Sequence, residues 1–216
     1  MPRTLILAAA VTVGLGFASL AQAQSAPATS TPATTTAARH HNAASETQRN
    51  VNQQTRIENG LDSGQLNTRE AGKLERGQRR IDKTEQRAMR NGSLSASERA
   101  RIQKQQNAES KAVYKQKHDA QTGNPNSKSS QRMQSDVQRN VNQQQRIHNG
   151  VDNGSLTHHE VARMEGGQAR SDRHQANAAQ NGRVGRYEQG HIQHGDNRDS
   201  RRIYRQKHDR QHRRGG

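Results

Sequence analysis

Apolar side chains recur at helical spacing over residues 46–117, and nothing in this stretch alternates in the way of a strand. The clearest stripe falls on one helical face at spacings of 3, 7 and 7, and consists of Ala71, Leu74, Ile81 and Ala88. It is narrower than the face that a globular helix normally buries. The pattern predicts three helices, at about 46–59, 68–90 and 96–117.

Short glycine turns separate these helices. Each turn has the form G-x-[LV]-x-x-x-E, and its glycines are Gly64, Gly92, Gly154 and Gly182. Glycine adopts positive φ without a Cβ penalty, so Asn59-Gly60 and Asn91-Gly92 are expected to end the helices before these turns. The glutamates of the motif stand where a capping box closes the next helix, and we expect this structural role for Glu70, Glu98, Glu160 and Glu188.

The chain contains a tandem duplication with an offset of 90 residues. Residues 48–119 and 138–209 align without a gap and are identical at 33 of 72 positions. This predicts an all-α fold of two tandem three-helix units, flanked by disordered segments. The segments are unit one (46–119), a linker (120–132), unit two (133–209) and a basic tail (210–216). In unit two, Gly166, Gly167, Gly185, Gly190 and Gly195 fall where helix is expected, so this unit should be less stable or need a partner.

The first 23 residues have the three parts of a secretory signal peptide. A basic start (Met1-Pro2-Arg3) precedes an uncharged apolar run, and Ala21-Gln22-Ala23 is a cleavage site of the A-x-A type. We therefore expect cleavage near Ala23 and a periplasmic or secreted product. Residues 24–45 are mostly Ala, Thr, Ser and Pro, which predicts a disordered leader.

Composition excludes a large apolar core. Only 24 residues after position 23 are Val, Ile, Leu, Met or Tyr. Cysteine is absent, so an exported chain of this kind forms no disulfide. No second apolar run approaches the length of a membrane span, so the product after cleavage should contain no transmembrane segment. Enzyme motifs such as a phosphate loop, H-E-x-x-H or a nucleophile elbow are lacking, and we predict a protein without catalytic activity.

The two units end on Y-[KR]-QKHD, and the tyrosines are Tyr114 and Tyr204. In an antiparallel three-helix unit, the end of helix three lies beside helix one. We therefore expect these tyrosines to pack on Val51 and Val141.

Three resemblances accompany these motifs. The whole unit, from R-I-x-x-G-x-x-x-G-x-L to Y-x-Q-K-H-D, resembles an uncharacterised family of exported bacterial helical-repeat proteins, which implies no activity. The G-x-[LV]-x-x-x-E core resembles the second half of an EF-hand loop, which implies calcium. Its L-T-x-x-E form is similar to a motif of Spy/CpxP-type periplasmic stress proteins, which implies a stress-related role.

The EF-hand resemblance stops at the first half of the loop. The middle ligand positions would be Leu61, Met89, Val151 and Ala179, which are all apolar. Calcium needs six or more oxygen ligands, so the sequence speaks against calcium binding by these turns.

Histidine offers a candidate metal site. Eight of the 11 histidines lie between His148 and His212, and His191-x-x-His194 places two imidazoles on one helical face. Imidazole suits Zn, Cu and Ni. The candidate metal ligands are His191, His194, His208 and His212.

Charge points to anionic partners. The chain has a formal net charge of +16 and a pI of about 11.3. Export separates it from nucleic acid, so the expected partners are phosphate-bearing envelope components, anionic polymers or acidic proteins. The sequence thus favours a binding or stress-related interaction protein of unknown specific activity. The alternative is a histidine-based transition-metal protein, and below it stands a degenerate EF-hand-like calcium binder.

Overall fold

The structure is a computed structural model that describes residues 32–209, with side chains from residue 43. The signal segment, residues 24–31 and the tail, including His212, lie outside the described residues. The described part contains α-helices, two short 3₁₀ turns (Met89–Asn91 and Ala179–Asn181) and no strands, which confirms the predicted all-α fold class. Its helices are α1 (Pro32–Asp62), α2 (Thr68–Ala88), α3 (Ala96–Lys117), α4 (Lys128–Asp152), α5 (His158–Ala178) and α6 (Arg186–Lys207).

Two helices begin earlier than the sequence predicts. α1 starts at Pro32, within the segment expected to be a disordered leader, and Ala43 of this helix is fully buried. α4 starts at Lys128 rather than after the predicted linker end at 132. The Ser127 hydroxyl caps it by accepting a hydrogen bond from the Ser130 N–H at 3.1 Å. The connection between the units is therefore shorter than its composition suggests.

The glycine turns have left-handed backbone geometry, as expected at Gly92, but the predicted helix end at Gly60 is wrong because α1 continues to Asp62. Gly64, Gly92, Gly154 and Gly182 have φ of 74°, 80°, 75° and 84°. Capping boxes open α2, α3 and α5, where Glu70, Glu98 and Glu160 pair with Asn67, Ser95 and Thr157. α6 differs because its N-cap, Gly185, has no side chain. Only the Gly185 N–H takes part, donating to Glu188 Oε2 at 2.7 Å.

The two units share one interior, although tandem units would be expected to have a core each. α2 packs along α5, and α1 packs along α4. There are two apolar clusters, and each contains side chains from both units. One joins Met89 to Leu156 and Met164, and the other joins Leu61 and Leu66 to Val184 through their cluster neighbours. Neither unit can therefore bury its apolar residues alone.

The tyrosine packing predicted from the repeat ends is wrong. Tyr114 and Tyr204 are 61% and 59% exposed. Each stacks on the histidine four residues later in its helix, with ring centroids 4.1 Å apart for Tyr114–His118 and 4.2 Å for Tyr204–His208. The i, i+4 spacing of a helix brings these rings together without any contact to helix one.

A polar layer separates the two apolar clusters. Along α2, Ala71 and Leu74 belong to one cluster and Ala88 to the other. The residues between them include four buried polar side chains, which are Glu75, Gln78, Asp82 and Glu85. α5 repeats the arrangement with Glu165, Gln168, Asp172 and Gln175. No helix in the described part is long and apolar enough to cross a membrane.

Candidate functional site

Most acidic side chains of the molecule are buried, whereas the lysines and arginines of the described part lie at the surface. All 19 Asp and Glu residues of the chain lie within the described part, and 12 of them are buried. In contrast, no lysine or arginine is buried among residues 43–209. Buried carboxyls are normally paired with a cation or protonated. The segregation therefore produces two candidate sites, which are an acidic interior and a cationic surface.

The acidic interior centres on three carboxyl groups. One oxygen each of Asp82, Glu85 and Glu165 can be chosen so that all three lie within 4.8 Å of one another. We call these three residues the carboxylate cluster. Asp82 and Glu85 share one face of α2 because they are three residues apart, and Glu165 reaches them from α5.

Two further carboxyl groups adjoin the cluster. Asp172 is the unit-two equivalent of Asp82 and lies within hydrogen-bonding reach of it, and Glu75 contacts Asp172 in turn. Burial raises the pKa of Glu75 to about 8, and the nearby negative charge of Glu109 adds to the rise. Burial, followed by repulsion between neighbouring carboxyls, also raises the pKa of Asp82, Glu85, Glu165 and Asp172 well above the usual range.

Side-chain amides from α1 and α4 orient these carboxyl groups. Asn50 donates to Glu85 at 2.7 Å, Gln54 donates to Glu75 at 3.2 Å, and Gln144 donates to Glu165 at 3.1 Å. An amide N–H that donates to a carboxyl oxygen favours the ionised carboxylate. The amides thus oppose in part the rise in pKa that burial causes, in a place that contains no basic side chain.

The sequence contained a signal for this layer that apolar periodicity does not read. Several of the 33 identities are the buried polar pairs, which are Asn50/Asn140, Gln53/Gln143, Gln54/Gln144, Glu75/Glu165, Gln78/Gln168 and Asp82/Asp172. Other buried polar positions differ between the units; for example, Glu85, Gln106 and Glu109 have the equivalents Gln175, Asp196 and Asp199.

The cationic surface has one concentrated site, a groove of about 610 Å³ between α5 and α6. Four arginines line it together with His174, and they are Arg163, Arg170, Arg198 and Arg202. We call it the arginine groove. Gly195 also lines the groove, and the space beside it is open, since no atom lies within 4 Å of where its Cβ would be. Gln86 of α2 enters the groove over Gly166, where a side chain would collide with it.

Only one acidic side chain, Asp199, lines the arginine groove. It pairs with Arg170 at 3.6 Å and with Arg202 at 3.2 Å. Within the described residues, Arg163 and Arg198 form no ion pair. Burial lowers the pKa of His174, and the positive charges of His191 and of neighbouring arginines lower it further. The groove therefore has an excess of positive charge and free guanidinium donors.

The equivalent face of unit one lacks this site. Ala108 and Ala112 stand where unit two has Arg198 and Arg202, and Thr84 stands where unit two has His174. The two units thus have the same arrangement of helices but different side chains on this face, so unit one serves as a comparison for the groove of unit two.

The structure does not unite the histidines predicted to bind metal. His191 and His194 lie in the first half of α6, whereas His208 caps its C-terminal end, about 25 Å away at 1.5 Å per residue. The His208 ring bonds to the Tyr204 carbonyl oxygen at 2.7 Å. His191 instead meets a histidine that the sequence did not single out, His174 of α5, with ring centroids 4.8 Å apart.

The turns that resemble EF-hand loops do not present a ligand set. Leu61, Met89, Val151 and Ala179 are fully buried among the apolar clusters. The glutamates at the loop ends accept N–H groups of their own helix N-termini, as Glu160 does from Thr157 at 2.7 Å.

Comparisons of the chain with family models, with curated proteins and with solved structures find no match.

Proposed function

We propose that this is an exported, non-catalytic binding protein that captures phosphate-bearing polyanions of the cell envelope in the arginine groove. The observation that supports this most directly is the convergence of Arg163, Arg170, Arg198 and Arg202 on one groove that has a single acidic residue. Guanidinium groups bind phosphate oxygens in bidentate fashion, and several on one wall can hold adjacent phosphates.

The rest of the molecule favours the same class of partner. Burial raises the pKa of Glu75 and of Asp136 to about 8, so these carboxyls hold protons near neutral pH and the folded protein carries more positive charge than its formal +16. Such a surface attracts polyanions from a distance, and the groove supplies the specific contact. Secretion, on which the choice of envelope partners rests, is supported by the signal-peptide pattern of residues 1–23.

The test uses a double variant that copies unit one. Arg198→Ala with Arg202→Ala gives the groove the alanines that unit one has at Ala108 and Ala112. The charge-matched control is Arg201→Ala with Arg205→Ala, because Arg201 and Arg205 lie on the same helix but do not line the groove. Binding is measured by co-sedimentation with vesicles containing lipid A phosphates, and with neutral vesicles as the blank.

The groove variant should bind at least tenfold more weakly than wild type, and the control less than threefold more weakly. Raising the salt concentration should weaken wild-type binding because exposed charges are screened. Equal losses in the two double variants would mean that diffuse charge, and not the groove, holds the partner. If the wild-type protein does not bind these vesicles, the proposal is wrong.

A second candidate function is transition-metal binding by histidine. The contact between His174 and His191 favours it, because a third imidazole, His194, lies three residues along the same helix. His191→Ala with His194→Ala should then abolish Zn or Cu binding and leave vesicle binding unchanged.

A further inference from the structure

The interior of the bundle contains buried oxygen atoms that no donor satisfies. Neither oxygen of Asp82 accepts from an N–H or hydroxyl group, and the polar group within its reach is the Asp172 carboxyl. Oε1 of Glu165 has no donor either. Asp82, Glu85 and Glu165 are at most 1% exposed, so water does not reach these oxygens from the surface. An unmatched buried polar atom costs about 1–3 kcal/mol, and more if it is charged, so this concentration requires an explanation.

A neutral side chain independently points to the same place. Gln144 of α4 is 2% exposed and donates its amide N–H to Glu165 Oε2. Its own side-chain oxygen, Oε1, has no donor. In metal sites, a carboxylate ligand commonly accepts a hydrogen bond from a neighbouring side chain, as Glu165 does from Gln144. The free amide oxygen of Gln144 is then available as a further ligand.

No basic group of the protein neutralises these carboxylates. The electrostatic neighbours of Asp82, Glu85 and Glu165 are other carboxyls and neutral amides, from α1, α2, α4 and α5 alike. The only positive charges that can enter are protons or a metal ion. One proton can be shared between Asp82 and Asp172, which lie within hydrogen-bonding reach of each other. At Glu85 and Glu165 the donors are the amides of Asn50 and Gln144, and these bonds favour carboxylates that a cation can neutralise.

We propose that Asp82, Glu85 and Glu165 bind one hard divalent cation inside the bundle, with Gln144 Oε1 as a fourth ligand. All four ligands offer oxygen, and the carboxylates can bind through one or both oxygens, as Asp82 can because both of its oxygens lack an N–H or hydroxyl donor. Such a donor set suits Mg²⁺, Ca²⁺ or Mn²⁺ and not the softer metals expected from histidine. The site is independent of the arginine groove and of the EF-hand-like turns. It stabilises the contact between α2 and α5 and therefore joins the two units.

The duplication supplies the control for this site. The equivalent cluster consists of Glu75, Asp172 and Gln175, so it lacks one carboxylate. Glu85→Gln makes the first cluster like the second, and the fold already accommodates glutamine at the equivalent position. Gln175→Glu does the reverse and should create a second site.

The test is calorimetric titration of chelator-stripped protein with MnCl₂, CaCl₂ and MgCl₂ at pH 7.5, with parallel thermal melts. Because the cluster is fully buried, a second protocol refolds the protein with the metal present, removes the excess and measures the metal that stays bound. We expect one equivalent of at least one cation to bind and to raise the melting temperature. Glu85→Gln and Asp82→Asn should weaken binding at least tenfold, and Gln175→Glu should raise the stoichiometry towards two.

The matched control is Glu109→Gln, which removes a buried carboxyl outside the cluster and should change affinity less than threefold. Circular dichroism verifies that every variant is folded. Three results would each overturn the proposal. They are no binding of any of the three cations under either protocol, affinity unaltered by Glu85→Gln and Asp82→Asn, or an equal loss in Glu109→Gln.

Discussion

Glu85 and Gln175 occupy equivalent positions of α2 and α5, and each accepts a hydrogen bond from the asparagine of the adjacent first helix. Asn50 donates to Glu85 at 2.7 Å, and Asn140 donates to Gln175 at 2.9 Å. One frame thus holds an acid in one unit and its neutral isostere in the other. The carboxylate of Glu85 is therefore not required to build the frame.

Replacing Glu85 with glutamine should stabilise the metal-free protein. The change removes a fully buried carboxyl that has only acids and amides around it, and such groups are costly to desolvate. Glutamine keeps an oxygen for the Asn50 bond and gives up only the longer bond that Gln106 Nε2 donates to Glu85 Oε1 at 3.3 Å. We expect a gain of about 1 kcal/mol or more in the free energy of unfolding, from urea denaturation with chelator at pH 7.5. Gln175→Glu should lower it, and a loss of stability in Glu85→Gln would contradict this explanation.

The metal-free protein should lose stability as pH rises from about 5 to 8. Burial raises the pKa of Glu75 to about 8 and of Glu109 to about 7, from the ordinary value of 4.5. A group whose pKa is raised on folding stabilises fully below its unfolded pKa, and the benefit disappears as pH rises through the folded pKa. Each extra proton held by the folded state contributes about 1.4 kcal/mol per pH unit.

Thermal melts with chelator at half-unit steps of pH measure this slope. The carboxyls concerned are Asp82, Glu85 and Glu75 of α2, Glu165 and Asp172 of α5, and Glu109 of α3. α4 adds Asp136, whose pKa burial raises to about 8, and α6 adds Asp196, whose pKa burial raises to about 6. α1 adds Glu46, whose negative charge acts on Glu85. Glu85→Gln should flatten the slope. A melting temperature that stays constant or rises over this interval would show that the interior acids are ionised at no cost.

Gly72 should not tolerate alanine, because α2 and α5 touch there. A Cβ at position 72 would lie 2.5 Å from the Cβ of Ala179, which is fixed in the backbone of a 3₁₀ turn. Overpacking of this kind typically costs about 1–3 kcal/mol. Gly190→Ala is the control, since nothing lies within 4 Å of its Cβ position and α6 should gain about 1 kcal/mol. Urea denaturation of the two variants measures both effects.

Neither unit should fold alone. Leu61 and Leu66 of unit one are fully buried in a cluster that also contains Met133 and Val137, which lie in unit two. Separating the units exposes this apolar surface and the polar layer together. Isolated 46–119 and 133–209 should give weak helical circular dichroism without a cooperative melt, and mixing them should restore part of the signal. A cooperative melt of either unit by itself would contradict the shared interior.

Local features of the fold could be predicted from the sequence, because each has a short-range cause. Gly64 and its three equivalents end helix turns by positive φ, and Glu70 caps α2, so helix number and most boundaries follow. The start of α1 at Pro32 could not be predicted from the sequence, because a segment rich in Ala, Thr and Ser is compatible with a helix and with a disordered chain.

The interior could not be predicted in the same way. Apolar periodicity treats Glu75 and Asp82 as exposed, although both lie between two apolar clusters. The packing of α2 on α5 depends on how the duplicated units interleave, which no local spacing encodes. The arginine groove is formed by residues on two helices, so linear clusters such as Arg201-Arg202 gave no indication of its position.

The most direct test of the proposed function is to locate the bound anion on the molecule. Amide chemical shifts of ¹⁵N-labelled protein are followed by NMR while pyrophosphate is added. The largest shifts are expected at the residues lining the groove between α5 and α6, with Gly195, Ser171 and Arg198 among them, and the equivalent face around Ala108 should stay unchanged. Shifts spread evenly over exposed lysines and arginines on both faces, or no shifts at millimolar pyrophosphate, would contradict a built anion site in the arginine groove.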